Sequence, residues 1–75
     1  MPYVAIKAYP KEEAMKQELA KRIREVVVEV CGCPVEAVTV SLEDVDPAKW
    51  ESDVMDAIVK PNMDKVYILS GENQF

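Results

Sequence analysis

Two stretches of this sequence alternate apolar and polar residues with a period of two, and one long run of helical period lies between them. In the first, Pro2 to Tyr9, the side chains of Val4, Ile6 and Ala8 point one way, and those of Tyr3, Ala5, Lys7 and Tyr9 the other. In the second, VEAVTVSLEDV, Val38, Val40 and Leu42 share one face and Thr39, Ser41 and Glu43 share the opposite one. Period two in β-branched and aromatic residues marks a half-buried strand. In the run between them, Met15, Leu19, Ile23, Val26, Val27 and Val30 draw one helical stripe, with Lys16, Glu18, Lys21, Arg22, Arg24 and Glu25 on a solvated face. A full helix is the connection that parallel strands need, and such crossovers are right-handed. The pattern predicts a single βαβ unit over residues 2–45 in an α+β (α/β) fold.

Local signals place the breaks. Pro10 is expected to end the first strand and open the helix, with Glu12 and Glu13 at the end where the helix dipole favours negative charge. Gly32 is expected to cap the helix, with Pro34 following. Asp46-Pro47 is a second start signal, for a short helix or turn that carries Trp50. VMDAIV fits a short strand or a helical turn equally well. Pro61 is expected to open a last short helix through Met63, Val66 and Tyr67, leaving ENQF as a tail.

Seventy-five residues make one domain, 1–75, with a thin core. Such a chain needs a staple. The two cysteines, Cys31 and Cys33, stand one residue apart, too close for an ordinary structural disulfide, and there is no histidine. The simplest reading is a small buried thiol at a helix end and another in a turn, with no metal and no cofactor. Subunit association is then the staple. Two parallel strands under one helix leave both sheet edges free, and a second copy would complete a four-stranded sheet with the helices outside. The expected assembly is a homo-oligomer, a dimer by default with a hexamer as the alternative.

The net charge of −5 argues against a nucleic-acid partner, which needs a basic stripe. No apolar run approaches the roughly 18 residues of a membrane span, and no signal peptide is visible. Free cysteines without an export signal imply the cytoplasm. Without histidine, no Ser-His or Cys-His nucleophile pair can be built, and two glycines are too few for a phosphate loop. What remains is the amino terminus. Removal of Met1 would leave Pro2 with a free secondary amine, which burial and a nearby cation could keep neutral and ready to accept a proton. With Met1 attached, the same nitrogen is an amide and carries no basicity.

Pro2 opening a strand, a helix, and the stretch CPVEAVTVSLEDVDPAKW in a chain of this length resemble the tautomerase superfamily, the small 4-oxalocrotonate tautomerase-like enzymes built from βαβ units with an amino-terminal catalytic proline. The likeness covers residues 2 to about 50, and the remaining tail looks like that of the longer, dimer-forming members. It implies Pro2 as proton carrier. Lys11 stands where the family often has a carboxylate-binding arginine; the charge is kept but not the bidentate fork. Trp50 stands where the family often has a phenylalanine that walls the pocket. Thr39 replaces a second arginine that the family contributes across a subunit interface. With a single obvious cation, the implied substrate is the enol of a 2-oxo monoacid of the phenylpyruvate type, ketonised in a pocket that Tyr3, Tyr9 and Trp50 help to line. Two alternatives stand beside it: a Pro2-dependent hydratase or dehalogenase of an unsaturated acid, and a non-catalytic assembly or binding module of the same fold.

Overall fold

The computed structural model describes residues 1–75, which gather into two compact units, Met1–Val45 and Asp46–Phe75. In the first, strands β1 (Tyr3–Ala8) and β2 (Thr39–Asp44) pair in parallel, with Tyr3 opposite Thr39 and Ala8 opposite Asp44. Helix α1 (Glu13–Cys31) makes the connection. The pairing is closed at one end by the Thr39 N–H donating to the Pro2 carbonyl (3.1 Å), and at the other by the Val45 N–H donating to the Ala8 carbonyl (2.8 Å). The expected alternation holds on both strands. Val4, Ile6, Val40 and Leu42 are half-buried, while Tyr3, Ala5, Thr39 and Ser41 are exposed.

Three details of this unit differ from the sequence expectation. Pro10 ends β1 but does not open the helix, which starts a turn later at Glu13 with Glu12 as its N-cap. Proline has no N–H to extend the ladder, and the chain then uses 9–12 as a link. The Glu12 carbonyl accepts the N–H groups of Met15 and Lys16, both at 3.1 Å. The strand expected from Val35 starts only at Thr39, because Pro34 leads into a 3₁₀ turn, Val35–Ala37. The buried helical stripe is also rotated about its axis. Leu19, Ile23 and Val27 are half-buried as expected, joined by Lys16, Ala20 and Val28, while Met15, Val26 and Val30 are exposed. Lys16 lays its aliphatic stem inward and places its ammonium 2.8 Å from the Asp44 carboxylate at the end of β2. Gly32 ends the helix as expected, at φ 66° in the left-handed region, its N–H bonded to the Val28 carbonyl at 3.0 Å.

The second unit has less regular structure. Asp46 caps a 3₁₀ turn, Pro47–Lys49, its Oδ1 accepting the Ala48 N–H at 2.9 Å. Glu51–Val59 is a π-helical segment, so the ambiguous VMDAIV is helical. Its last turn closes with the Lys60 N–H on the Met55 carbonyl, the five-residue π spacing. The 3₁₀ stretch Lys60–Lys65 follows, bent at Asn62. The helix expected to run on through Tyr67 stops at Lys65. The chain instead forms a small antiparallel hairpin of β3 (Ile68–Leu69) and β4 (Glu72–Asn73), so ENQF is not a loose tail. The two turn residues, Ser70 and Gly71, both have positive φ, as the primed turns of tight hairpins require.

Only Val45, at 8% exposed, and Val54, at 7%, are buried. No helix is long and apolar enough to cross a membrane.

Candidate functional site

Pro2, Tyr3 and Thr39 come together at the amino end of the parallel pair. Pro2 is half-buried, and its carbonyl is held by the Thr39 N–H. In this chain Met1 precedes it, and the Met1 ammonium donates to the Ala37 carbonyl. Pro2 is thus anchored through its own carbonyl, by a bond that does not involve Met1.

The sheet face carrying Tyr3 and Thr39 is polar. The Tyr3 and Ser41 hydroxyls lie 2.9 Å apart, and further along the same face Lys7 pairs with Glu43 at 3.1 Å. Ser41 was legible in the alternation, two residues beyond Thr39, yet nothing in the sequence tied it to Tyr3. Parallel register does so, because it sets Ala5 opposite Ser41 and leaves the tyrosine ring reaching diagonally across to the hydroxyl.

Tyr9 and Lys11 lie at the other end of the unit, after the last residue of β1. Six strand residues at about 3.3 Å each separate them from Pro2 by roughly 20 Å, beyond the reach of a lysine side chain. Lys11 is half-buried and makes no ion pair or hydrogen bond, although the chain has an excess of carboxylates. Trp50 belongs to the second unit, half-buried between the 3₁₀ turn and the π-helical segment. A single chain therefore groups Pro2 with Tyr3 and Thr39, and sets Lys11 with Tyr9.

Charge is perturbed at two places outside this group. A hydrogen bond from Arg22, 2.7 Å away, holds the Glu18 carboxyl below its usual range. The Lys60 ammonium is raised by hydrogen bonds to Asp56 (2.7 Å) and Glu51 (3.3 Å), which tie the two ends of the π-helical segment together. The thiols of Cys31 and Cys33 are unpaired, and no cluster of three potential ligands is placed to hold a metal.

Residues 2–57 match the family model described as tautomerase enzyme, a match that begins at Pro2. Among curated proteins, the chain is 32% identical over 66 residues to Tautomerase PptA of Cronobacter sakazakii, covering 85% of this chain and 87% of that protein. It is 37% identical over 65 residues to Tautomerase PptA of Klebsiella pneumoniae (84% and 85% covered). It is 27% identical over 66 residues to that of Pectobacterium carotovorum (85% and 87% covered).

Proposed function

Because the chain belongs to the tautomerase family and is a tautomerase-type isomerase, we propose that it ketonises the enol of a 2-oxo monoacid of the phenylpyruvate type, with Pro2 as the proton carrier once Met1 is removed. The observation that carries this reading is the seat of Pro2. It opens the parallel pair, half-buried, fixed by a bond from Thr39 to its carbonyl that trimming of Met1 leaves intact. A free α-amine has a reference pKa near 8 and a pyrrolidine nitrogen is more basic, so burial together with a nearby cation is what brings it to neutrality. The neutral amine takes the enol hydroxyl proton, and the ammonium so formed delivers a proton to the neighbouring carbon, completing the keto acid and restoring the neutral amine with no cofactor.

Lys11 supplies the cation for the carboxylate. Its distance from Pro2 within one chain means that it serves the Pro2 of another copy. A two-fold axis that lays the strands antiparallel brings the carboxyl end of one β1 toward the amino end of its mate. The same pairing covers one free strand edge of each chain and can cover part of its exposed apolar surface, where Tyr3, Met15, Val26 and Val30 are all more than half exposed. The working unit in this reading is a homodimer, or a hexamer built from such pairs. Tyr3 and Thr39 flank the amine, and Tyr9 and Trp50 furnish apolar walls. The free thiols of Cys31 and Cys33 support a reducing, cytoplasmic setting for this enzyme.

The test pairs the intact mass of protein from its native cell with an enol–keto assay on phenylpyruvate. The expected result is a chain lacking Met1 that accelerates ketonisation and loses the acceleration when Met1 is retained. A trimmed, folded protein inactive on phenylpyruvate and on aliphatic 2-oxo acid enols would falsify the proposal. Turnover of a halogenated or unsaturated acid by the same protein would instead favour the water-adding alternative.

A further inference from the structure

A groove between α1 and β2 is lined by Gln17, Ala20, Lys21, Arg24, Val38 and Val40 and encloses about 340 Å³, at the small end of the roughly 300–1,000 Å³ typical of ligand pockets. Its floor is apolar, made by Ala20 with Val38, just ahead of β2, and Val40 within it. Its rim carries two cations one helical turn apart. Like charges at that spacing repel, and although Lys21 lies in the field of Glu18 and Glu25 adjoins Arg24, no carboxylate closes an ion pair with either cation. Glu18 is taken by Arg22 at 2.7 Å, Glu13 by the Gln17 amide at 3.2 Å, and Asp44 by Lys16 at 2.8 Å. Lys21 and Arg24 form no ion pair in a chain with fourteen acidic residues and nine basic ones. On the far side of Arg24 a second depression of about 310 Å³ is lined by Glu25, Glu29, Val28 and Val35. Its two carboxylates make it a poor place for an anion, so Arg24 divides an anion-accepting groove from an anion-repelling one.

The geometry points to a second ligand site in the α1–β2 groove, apart from Pro2, that binds a small organic anion with one carboxylate or phosphate head and a compact apolar body. The Arg24 guanidinium and Lys21 ammonium receive the head, and the apolar body lies on Ala20, Val38 and Val40. None of these residues belongs to the proton-transfer group proposed above, so the site stands or falls independently of it.

The test is titration of the isotope-labelled, full-length protein, followed by backbone amide shifts. Benzoate and phenyl phosphate each present an anionic head on a ring, acetate and inorganic phosphate present the head alone, and benzamide presents the ring without charge. Saturable shifts confined to residues 17–24 and 38–40 are expected with benzoate, phenyl phosphate or both; which of them binds identifies the head group. Affinity should fall about tenfold or more in Lys21→Ala/Arg24→Ala and stay unchanged in Pro2→Ala. The double variant, whose replaced side chains are exposed, should keep its circular dichroism and its enol–keto activity. Equal binding of acetate, inorganic phosphate or benzamide would overturn the assignment, as would shifts indifferent to the double replacement. Loss of ketonisation in the folded double variant would merge the groove with the Pro2 site and overturn its separateness. Shifts of the same amides on dilution, with no response to the ring anions, would give the groove to a second copy of the chain.

Discussion

The two units of this chain reach order by different physical routes. In Met1–Val45, two six-residue strands share a full ladder and a nineteen-residue helix connects them, so each element is supported by partners far away in sequence. In Asp46–Phe75, order is local: a capped 3₁₀ turn, a π-helical segment, a bent 3₁₀ stretch and a hairpin with two residues per strand. Each unit has one buried valine, Val45 and Val54. The first unit holds Pro2, Lys11, Lys21 and Arg24, and the second holds Trp50. Regular long-range pairing can fix a reactive atom, whereas short, locally closed turns suit a surface that shapes a pocket. That contrast can be broken or sharpened experimentally.

The largest effects should come from the first unit's chemistry. Pro2→Ala in trimmed protein should lower kcat/KM for enol ketonisation by about a hundredfold or more, the primary amine keeping a remnant. Lys11→Ala should act mainly by raising KM. If Lys11 serves another copy's Pro2, mixing the two poorly active variants under conditions that exchange subunits should regain activity, since one site in each hybrid has both groups intact. Failure of the mixture to exceed its components would place the two residues in one chain's site. Trp50→Phe, in the second unit, should change turnover far less than either.

Stability comes next. Val45→Ala and Val54→Ala each remove buried methyl groups and should cost about 1–3 kcal/mol by urea denaturation. Amide exchange should show the first loosening β1 and β2, and the second loosening Glu51–Val59. A cost near zero at Val54 would mean that the π-helical segment is held by its ion pairs rather than by packing.

Smaller still are the turn positions. Gly32 at φ 66° and Gly71 at φ 84° have open space around them, so Gly→Ala there introduces backbone strain without a clash, worth about 1–2 kcal/mol. Equal losses at the two sites would show that the helix end and the hairpin turn depend on glycine to the same degree.

The smallest effects are electrostatic. Glu18 is depressed in the folded chain, so its contribution is present above the ordinary carboxylate value of 4.5 and fades as pH falls below it. Lys60 is raised, so its contribution is present below 10.5 and fades as pH rises above it. Both groups are exposed, and salt should screen them. Melting curves should show the acid-side loss shrinking in Arg22→Ala and the alkaline-side loss shrinking in Asp56→Asn.

Much of the first unit was legible in advance because its periods are long enough to read. Six alternating residues on each strand, the helical run and the Gly32 cap all point to the same βαβ path. The rotation of α1 was not legible. Hydrophobicity alone favours Met15, Val26 and Val30, whereas the folded chain turns Lys16, Ala20 and Val28 inward, with Lys16 paired to Asp44, twenty-eight residues away. In the second unit Asp46-Pro47 was a readable start. The hairpin is not legible locally, because Gly71 can close a helical spacing that begins at Pro61 as readily as Ser70-Gly71 can mark a tight turn. Nothing local distinguishes the two until β3 and β4 pair.

Sequence by itself determined the parallel βαβ path, the proline at its head and the chemical poverty that leaves that proline as the candidate base: no histidine and no phosphate loop. Those are matters of residue type and short-range period. Tertiary structure alone decided that Tyr3 meets Ser41, that Lys16 reaches Asp44, and that Lys21 and Arg24 line a groove with Val38 and Val40. Each depends on register and helix rotation, which arise from contacts between residues distant in the chain and leave no local trace in its sequence.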